Sequence, residues 1–435
     1  MAKANRKINV VTLGCSKNVV DSEFLMKQLD FDGWEVIHDS NDASAKVVVI
    51  NTCGFIADAK EESTDTIIRF VEAKNQGIID RVYVMGCLSQ RYKDELSAEI
   101  PEVDGFYGVN DLPIILKDLK TKYSSEIETS RFLTTPKHYA YLKISEGCNW
   151  GCSYCAIPLI RGKHISRSID SLVEEATLLA NDGVKELLVI AQDSTFYGLD
   201  LYGKRMLSEL LDRLSEINGI EWIRIHYAYP SAFPSDLINT IKNNPKICKY
   251  IDIPFQHISD KMLNVMRRGT SKKETVDLVK RLKCEIPSIA IRTTFLVGHP
   301  EESEKDFNEL VDFVKKYRFD RVGVFTYSEE EGTYSAKTYP DDISEEVKNN
   351  RLDIIMELQR EISLKNNQSR IGQTFKVIVD RFENQYIIGR TEYDSPEVDQ
   401  EVIIKKDNTH NIKQGDFIIV RITSCDDYDL IGEIV

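Results

Sequence analysis

Short apolar runs alternate with amphipathic stretches along most of this chain, and then the alternation stops. In the first region, Lys7 to Leu13, Val47 to Thr52 and Arg81 to Met85 read as strands. Helical patterns follow them, from about Asp21 to Leu29, up to about Asn75, and beyond Gly86-Cys87. Each run is almost wholly apolar, as in a parallel sheet covered on both faces. The pattern predicts a flavodoxin-like α/β domain over residues 1–131. Phe132 to His138 reads as a linker. Strand-then-helix units follow, with strands near Tyr141–Ser145, Leu187–Ala191, Trp222–Tyr227, Tyr250–Ile253, Ala290–Val297 and Val322–Tyr327. Ser171–Asn181, Lys204–Ile217 and Glu304–Lys316 are among the amphipathic helices between them. Such units over residues 138–366 predict a partial (βα)6 barrel, with its chemistry at the C-terminal strand ends. From Gln368 the helices disappear. Phe375–Val379, Tyr386–Arg390, Val402–Ile404, Phe417–Ile422 and Asp429–Val435 are strand-like and punctuated by Gly372, Gly389, Gly415 and Gly432. Residues 368–435 therefore read as a small OB-like β-barrel.

Composition narrows the setting. A chain of 435 residues that is 42% hydrophobic and 29% charged is a multidomain globular protein. No apolar stretch is long enough to cross a bilayer. Met1 through Lys7 leads straight into a strand rather than a signal-peptide core. A cytoplasmic protein without membrane contacts is expected. Nine cysteines, an odd number, in a reducing compartment favour metal binding over disulfides. The net charge of −14 argues against a generic nucleic-acid coat and suits a basic protein partner. From Gln368 onward, 8 Lys and Arg stand against 13 Asp and Glu, a net of −5.

The cysteines carry the chemistry. Cys148, Cys152 and Cys155 form CxxxCxxC, with Tyr154 before the last. Three thiolates can hold three irons of a [4Fe–4S] cluster and leave the fourth open for a non-protein ligand, whereas electron-transfer clusters normally take four cysteines. A zinc knuckle would want a second CxxC pair, and there is none. Cys15, Cys53 and Cys87 each follow the C-terminal end of a predicted strand, beside a glycine. Those ends lie along one edge of an open parallel sheet, so these thiols should converge as a second three-cysteine site. Three small buried cysteines are the plainer alternative. Cys248, Cys284 and Cys425 have no partner at ligand spacing and read as packing residues.

The CxxxCxxC run with its aromatic matches the radical S-adenosylmethionine (SAM) signature. Together with Leu13-Gly14-Cys15-Ser16-Lys17-Asn18, Asp21-Ser22-Glu23, Asn51-Thr52-Cys53-Gly54-Phe55, Gly86-Cys87, Arg161-Gly162 and Ser166-Arg167, the whole chain resembles the methylthiotransferase family. That resemblance implies a cluster-bearing N-terminal domain, a radical SAM barrel and a C-terminal TRAM domain. It also implies two [4Fe–4S] clusters, on Cys15, Cys53 and Cys87 and on Cys148, Cys152 and Cys155, with SAM as cofactor. Leu13 through Glu23, Ile253 through His257, Arg292 through Gly298 and Tyr327 through Thr333 resemble the protein-modifying branch. In the tRNA branch, Gly-Cys tends to follow tyrosine and precede Gln-Met-Asn. The implied substrate is one aspartate of small-subunit ribosomal protein twelve, methylthiolated at its β-carbon with two SAM per turnover. The competing reading is a tRNA adenosine methylthiotransferase. A non-catalytic iron–sulfur carrier or RNA-binding module would need four-cysteine clusters and no barrel.

A β-carbon C–H is neither acidic nor electrophilic, so a cofactor must supply the hard chemistry. No catalytic residue is expected beyond the cluster ligands. Gln192 and Arg292, at barrel strand ends, are candidates for SAM's polar groups, against a structural role. By resemblance Tyr154 packs near adenine; a core aromatic is the alternative. His257 reads as facing the site or as a satisfied structural histidine. Arg161 and Arg167 read as carboxylate or SAM partners, or as surface charges. Ala191-Gln192-Asp193 stands where many radical SAM enzymes carry Gly-Gly-Glu, and His299 precedes Pro300 where the family usually has an aromatic. A reductant protein such as flavodoxin or ferredoxin and a sulfur donor complete the expected partners.

Overall fold

The computed structural model describes residues 6–42, 44–406 and 411–435; the reading of Met1 through Asn5 lies outside them. Strands β1 (Lys7–Thr12), β2 (Glu35–His38), β3 (Val47–Thr52), β4 (Arg81–Gly86) and β5 (Gly105–Phe106) form one parallel sheet in the order β2-β1-β3-β4-β5. This is the flavodoxin-like order expected. Helices α1 (Ser16–Phe31) and α4 (Leu112–Asp118) cover one face, through Leu25, Met26, Leu29, Ile115 and Leu116. The other face packs on α2 (Ala57–Asn75) and α3 (Cys87–Glu99), through Ile67, Val71 and Leu88. Burial on both faces is why the central strands lack polar alternation. The short strands β2 and β5 escaped the sequence reading because they pair at the sheet edges with half-buried or very short runs. Helix α1 begins at Ser16 rather than near Asp21, with Cys15 as its N-cap.

The second sheet is also parallel. It runs β13 (Arg321–Thr326), β12 (Ala290–Val297), β11 (Ile247–Asp252), β10 (Trp222–Ile225), β9 (Glu186–Ile190), β6 (Tyr139–Lys143). A hairpin of β7 (Ser145–Glu146) and β8 (Ile165–Ser166) brackets α5 (Ile157–Arg161). Outer helices α6 (Ile169–Asn181), α7 (Leu207–Ser215), α8 (Ser235–Asn243), α9 (Asp260–Val265), α10 (Lys272–Glu285) and α11 (Glu304–Tyr317) follow, and then α12 (Tyr334–Thr338) and α13 (Glu345–Gln368). Reciprocal Ser271/Glu274 and Ser303/Asp306 boxes start α10 and α11, each satisfying two helix-end amides. Side chains alternate across the strands. Leu142, Val189, Ile225, Ile251 and Ile291 join the helix-facing core. The opposite, inner face is shared. Tyr139, Tyr141, Leu188 and Ile190 pack on Val20 of α1, while Trp222, Tyr250 and Ala290 pack on the C-terminal domain.

That domain is a closed five-stranded barrel of β14 (Thr374–Glu383), β15 (Tyr386–Thr391), β16 (Val402–Lys405), β17 (Phe417–Cys425) and β18 (Leu430–Ile434), in the order β14-β15-β16-β18-β17. Closure removes the open edges of so small a sheet. Buried Glu186 of β9 accepts from Arg224 of β10 at 2.8 Å and is ion-paired with Arg390 of β15 at 2.5 Å. Tyr139 and Tyr250 donate across the same seam to Glu397 and Asp399. Among the described residues no helix is long and apolar enough to cross a membrane. Cys248 is buried as a packing residue should be and Cys425 is half-buried, but Cys284 is exposed on α10. One apolar-looking position in a helix says nothing about which face it takes.

Candidate functional site

The N-terminal triad is set by strand register. Thr12 pairs with Asn51 and Thr52 with Gly86, so β1, β3 and β4 end level. Cys15, Cys53 and Cys87 therefore leave three adjacent strands at one edge. Asn18 ties the edge together, its Nδ2 donating to the carbonyls of Leu13 (2.8 Å) and Thr52 (3.1 Å). Ser63 receives the Cys53 amide and donates to the Cys53 carbonyl, both at 3.0 Å. Gly86 sits at φ +100°, where a Cβ would lie 2.6 Å from the Thr52 carbonyl oxygen. A Cβ on Gly14 would lie 2.8 Å from Cβ of Cys53. The glycines let these backbones close in. Burial raises the Cys53 thiol, and pushes Cys87 to about 12 despite the opposing Arg161 charge. Such thiols shed their protons to a metal rather than to water.

The barrel triad occupies the loop after β7. Gly147, at φ +73°, starts it, and the Cys148 amide donates to the Gly162 carbonyl at 3.0 Å. Trp150 anchors it, stacked on Tyr229 at 4.0 Å and donating to Asp193 at 2.7 Å. The Arg268 guanidinium lies 3.2 Å from the Cys152 sulfur and donates to the Pro254 carbonyl at 2.6 Å. Burial raises Cys148 to about 11 and Cys155 to about 12. Both donor sets, three soft thiols each at a strand-end edge, fit corners of a cluster. Among the described residues, no three His, Cys, Asp or Glu side chains gather round one point as the ligands of a single ion must.

The two edges meet. Helix α5, directly after Cys155, packs Ala156 and Ile160 against Cys87, with Phe55 beside them. Arg161 at its end donates to Glu146 at 3.0 Å, Asp21 at 3.1 Å and Asn18 at 2.6 Å, and lies 3.4 Å from the Cys87 sulfur. Lys143 joins Asp21 to Glu146. Burial alone would raise Glu146, but Lys143 and Arg161 hold it down at about 2. On the far side, buried Glu330 accepts from the Ile56 amide at 2.9 Å and pairs with Arg91 and Lys60. It thereby holds Ile56, at φ +73°, in a left-handed conformation just after the Cys53 loop.

The remaining candidates fall in different places. Gln192 follows β9 and donates to Glu146 at 3.0 Å, and its Oε1 is buried without a partner. Tyr154 packs with Met262, Met266, Leu296 and Tyr327, and meets His299 edge-on. Arg292 is drawn to Asp252 and Asp399, both at 3.3 Å. It lines a cavity of about 460 Å³ against the C-terminal domain that contains none of the cysteines. His257 is buried; its Nδ1 accepts from the Ile258 and Ser259 amides and its Nε2 meets Glu302 at 3.0 Å, a structural setting. Arg167 pairs with Glu175. Sequence reasoning passed over Lys143, Glu146, Arg268 and Glu330, most of whose partners are distant in the chain.

Comparison with known proteins agrees with this architecture. Residues 7–108 match the uncharacterized protein family UPF0004, 142–314 the radical SAM superfamily and 371–435 the TRAM domain. The chain is 55% identical to the ribosomal protein uS12 methylthiotransferase RimO of Phocaeicola vulgatus, over 98% of this chain and 99% of that one. The corresponding protein of Bacteroides fragilis is 54% identical, over 99% of each chain, and that of Cytophaga hutchinsonii 53%, over 100% and 99%. Among solved structures, the radical SAM methyltransferase TsrM of Kitasatospora setae superposes with a TM-score of 0.55 at 15% identity, covering 77% of each chain. The cobalamin-dependent radical enzyme OxsB superposes at 0.52 and 12% identity, covering 81% of this chain and 56% of that one. These structural likenesses carry the fold; near-full-length identity carries the family. The chain belongs to the radical SAM methylthiotransferase family of the RimO proteins.

Proposed function

We propose that this protein methylthiolates the β-carbon of an aspartate in ribosomal protein uS12, with Cys148, Cys152 and Cys155 holding one [4Fe–4S] cluster and Cys15, Cys53 and Cys87 the other. The observation that carries the reading is the meeting of two three-thiol edges at one domain seam, bridged by Arg161. When bound, such clusters supply single electrons and an open iron that takes SAM or sulfur. The chain's own residues position and enclose. Trp150, Tyr229 and Asp193 fix the barrel loop; Gln192 offers SAM's ammonium an unpartnered acceptor. Tyr154 lies in an apolar wall suited to adenine. Arg292 has committed its guanidinium to two carboxylates, which supports a structural role.

The domain limits follow the same reading, 1–131, 138–366 and 368–435. Two SAM are used per turnover, and a reductant protein such as flavodoxin or ferredoxin and a sulfur donor complete the balance in the cytoplasm. The acidic C-terminal domain favours a basic protein over tRNA. The test is a product assay on anaerobically reconstituted enzyme with SAM, sulfide and reductant, offered undermodified uS12 and undermodified tRNA. Methylthio-aspartate by mass spectrometry is expected. Methylthio-adenosine with the protein untouched would overturn the substrate assignment. Changing the cysteines of either triad to alanine is expected to abolish product and halve the iron content.

A further inference from the structure

Lys17 is 7% exposed as a residue, and its ammonium, which still touches solvent, has no hydrogen-bond acceptor or carboxylate partner among the described residues. The other buried lysine and arginine side chains among them all have partners. Arg131, Arg161, Arg224, Lys348, Arg351 and Arg390 each meet a carboxylate. Arg268 meets sulfur, a phenol and a carbonyl. Lys17 has only the ring of Tyr227, 3.1 Å from Nζ to centroid. A cation–π contact offsets part of what an ammonium loses when it is partly shielded from water, but it supplies no counter-charge.

Its position is specific. Lys17 stands on the first turn of α1, two residues from Cys15. Tyr227 follows β10 at the chemical end of the barrel, in the left-handed region at φ +58°. The ammonium therefore lies where the edge bearing the N-terminal triad covers the barrel mouth. The neighbouring cations Lys143 and Arg161 are already paired with Asp21 and Glu146, which leaves those acids no charge to offer.

We infer that Lys17 is the substrate-binding cation: its ammonium pairs with the side-chain carboxylate of the aspartate whose β-carbon is modified. The inference rests on the proposed function and adds the residue that selects an acidic side chain. A carboxylate one bond from the reacting carbon also fixes that carbon's place, the positioning on which radical transfer depends. An asparagine or an apolar side chain would leave the ammonium without its counter-charge, so selection comes from that unpaired charge.

The test uses reconstituted holoenzyme under anaerobic conditions without reductant, and measures binding by calorimetry. The ligands are the uS12 substrate and its Asp→Asn counterpart. Wild-type enzyme is expected to prefer aspartate by about 30-fold or more, as for one buried charge pair. Lys17→Met should bind both alike, and Lys17→Arg should keep the preference. Iron content and SAM binding of each variant are read in parallel. Two results would overturn the inference: equal binding of aspartate and asparagine by wild type, or an undiminished preference in Lys17→Met, with or without loss of SAM binding. Failure of wild type to bind uS12 at all would instead sink the proposed function. The substrate-side comparison needs no variant to fold.

Discussion

Arg161 of the barrel lies 3.4 Å from the sulfur of Cys87 in the N-terminal domain, while its other guanidinium nitrogen grips Glu146 beside the CxxxCxxC loop. One side chain thus touches the surroundings of both cysteine edges. Hydrogen bonds to cluster sulfurs raise reduction potential. Arg161→Ala is expected to lower the midpoint potential of the N-terminal cluster and to leave that of the barrel cluster nearly unmoved. Removing one partner of a buried pair costs about 3–5 kcal/mol, so the seam should also loosen. Redox titration followed by electron paramagnetic resonance checks the first, and hydrogen exchange of the Cys87 loop the second. A common shift of both clusters would refute the assignment.

Gly86 has room for no side chain. Its φ of +100° and the Thr52 carbonyl 2.6 Å from a would-be Cβ make Gly86→Ala a backbone clash. Left-handed strain of about 1–3 kcal/mol adds to overpacking of similar size. The expected outcome is a lowered melting temperature and iron content near half, because Cys87 follows directly. Full iron at unchanged stability would contradict the account.

Much of this architecture is legible in the chain. The parallel strands are legible because double burial makes them uniformly apolar, and Cys15, Cys53 and Cys87 because each ends such a strand. What escapes is long-range. Arg161 and Cys87 are 74 residues apart, and Glu330 and the Ile56 amide 274. Neither pairing leaves a local mark. Arg292 looked suited to a ligand from its strand, but Asp399, its partner from the C-terminal domain, has no sequence relation to it. The docking of that domain into the barrel's inner face is equally silent in periodicity, since Trp222 and Tyr250 are apolar whichever domain covers them.

That docking has a wholly buried electrostatic centre. Glu186 is wholly buried between Arg224 and Arg390, so Glu186→Ala leaves two guanidiniums without their shared charge. A loss of about 3–5 kcal/mol is expected, felt at the seam rather than within either domain. Limited proteolysis between α13 and β14 should accelerate. Unchanged cleavage alongside a general fall in stability would show that the pair supports the barrel alone.

Acid should act on the other seam as well. Glu146 titrates near 2 in the folded chain because Lys143 and Arg161 outweigh its burial, against 4.5 for a free glutamate. A depressed folded-state value means that the unfolded chain binds the proton more readily. The stabilisation is therefore complete above about pH 4.5 and is lost as pH falls from there toward 2. The difference corresponds to about 3 kcal/mol, shared among the coupled groups Asp21, Lys143 and Arg161. Urea unfolding of the apo chain should show wild type losing stability relative to Glu146→Gln across that window, with the two curves converging near pH 2. Parallel curves through the same range would mean that Glu146 keeps its ordinary affinity for protons and that the bridge between the two cysteine edges does not depend on its charge.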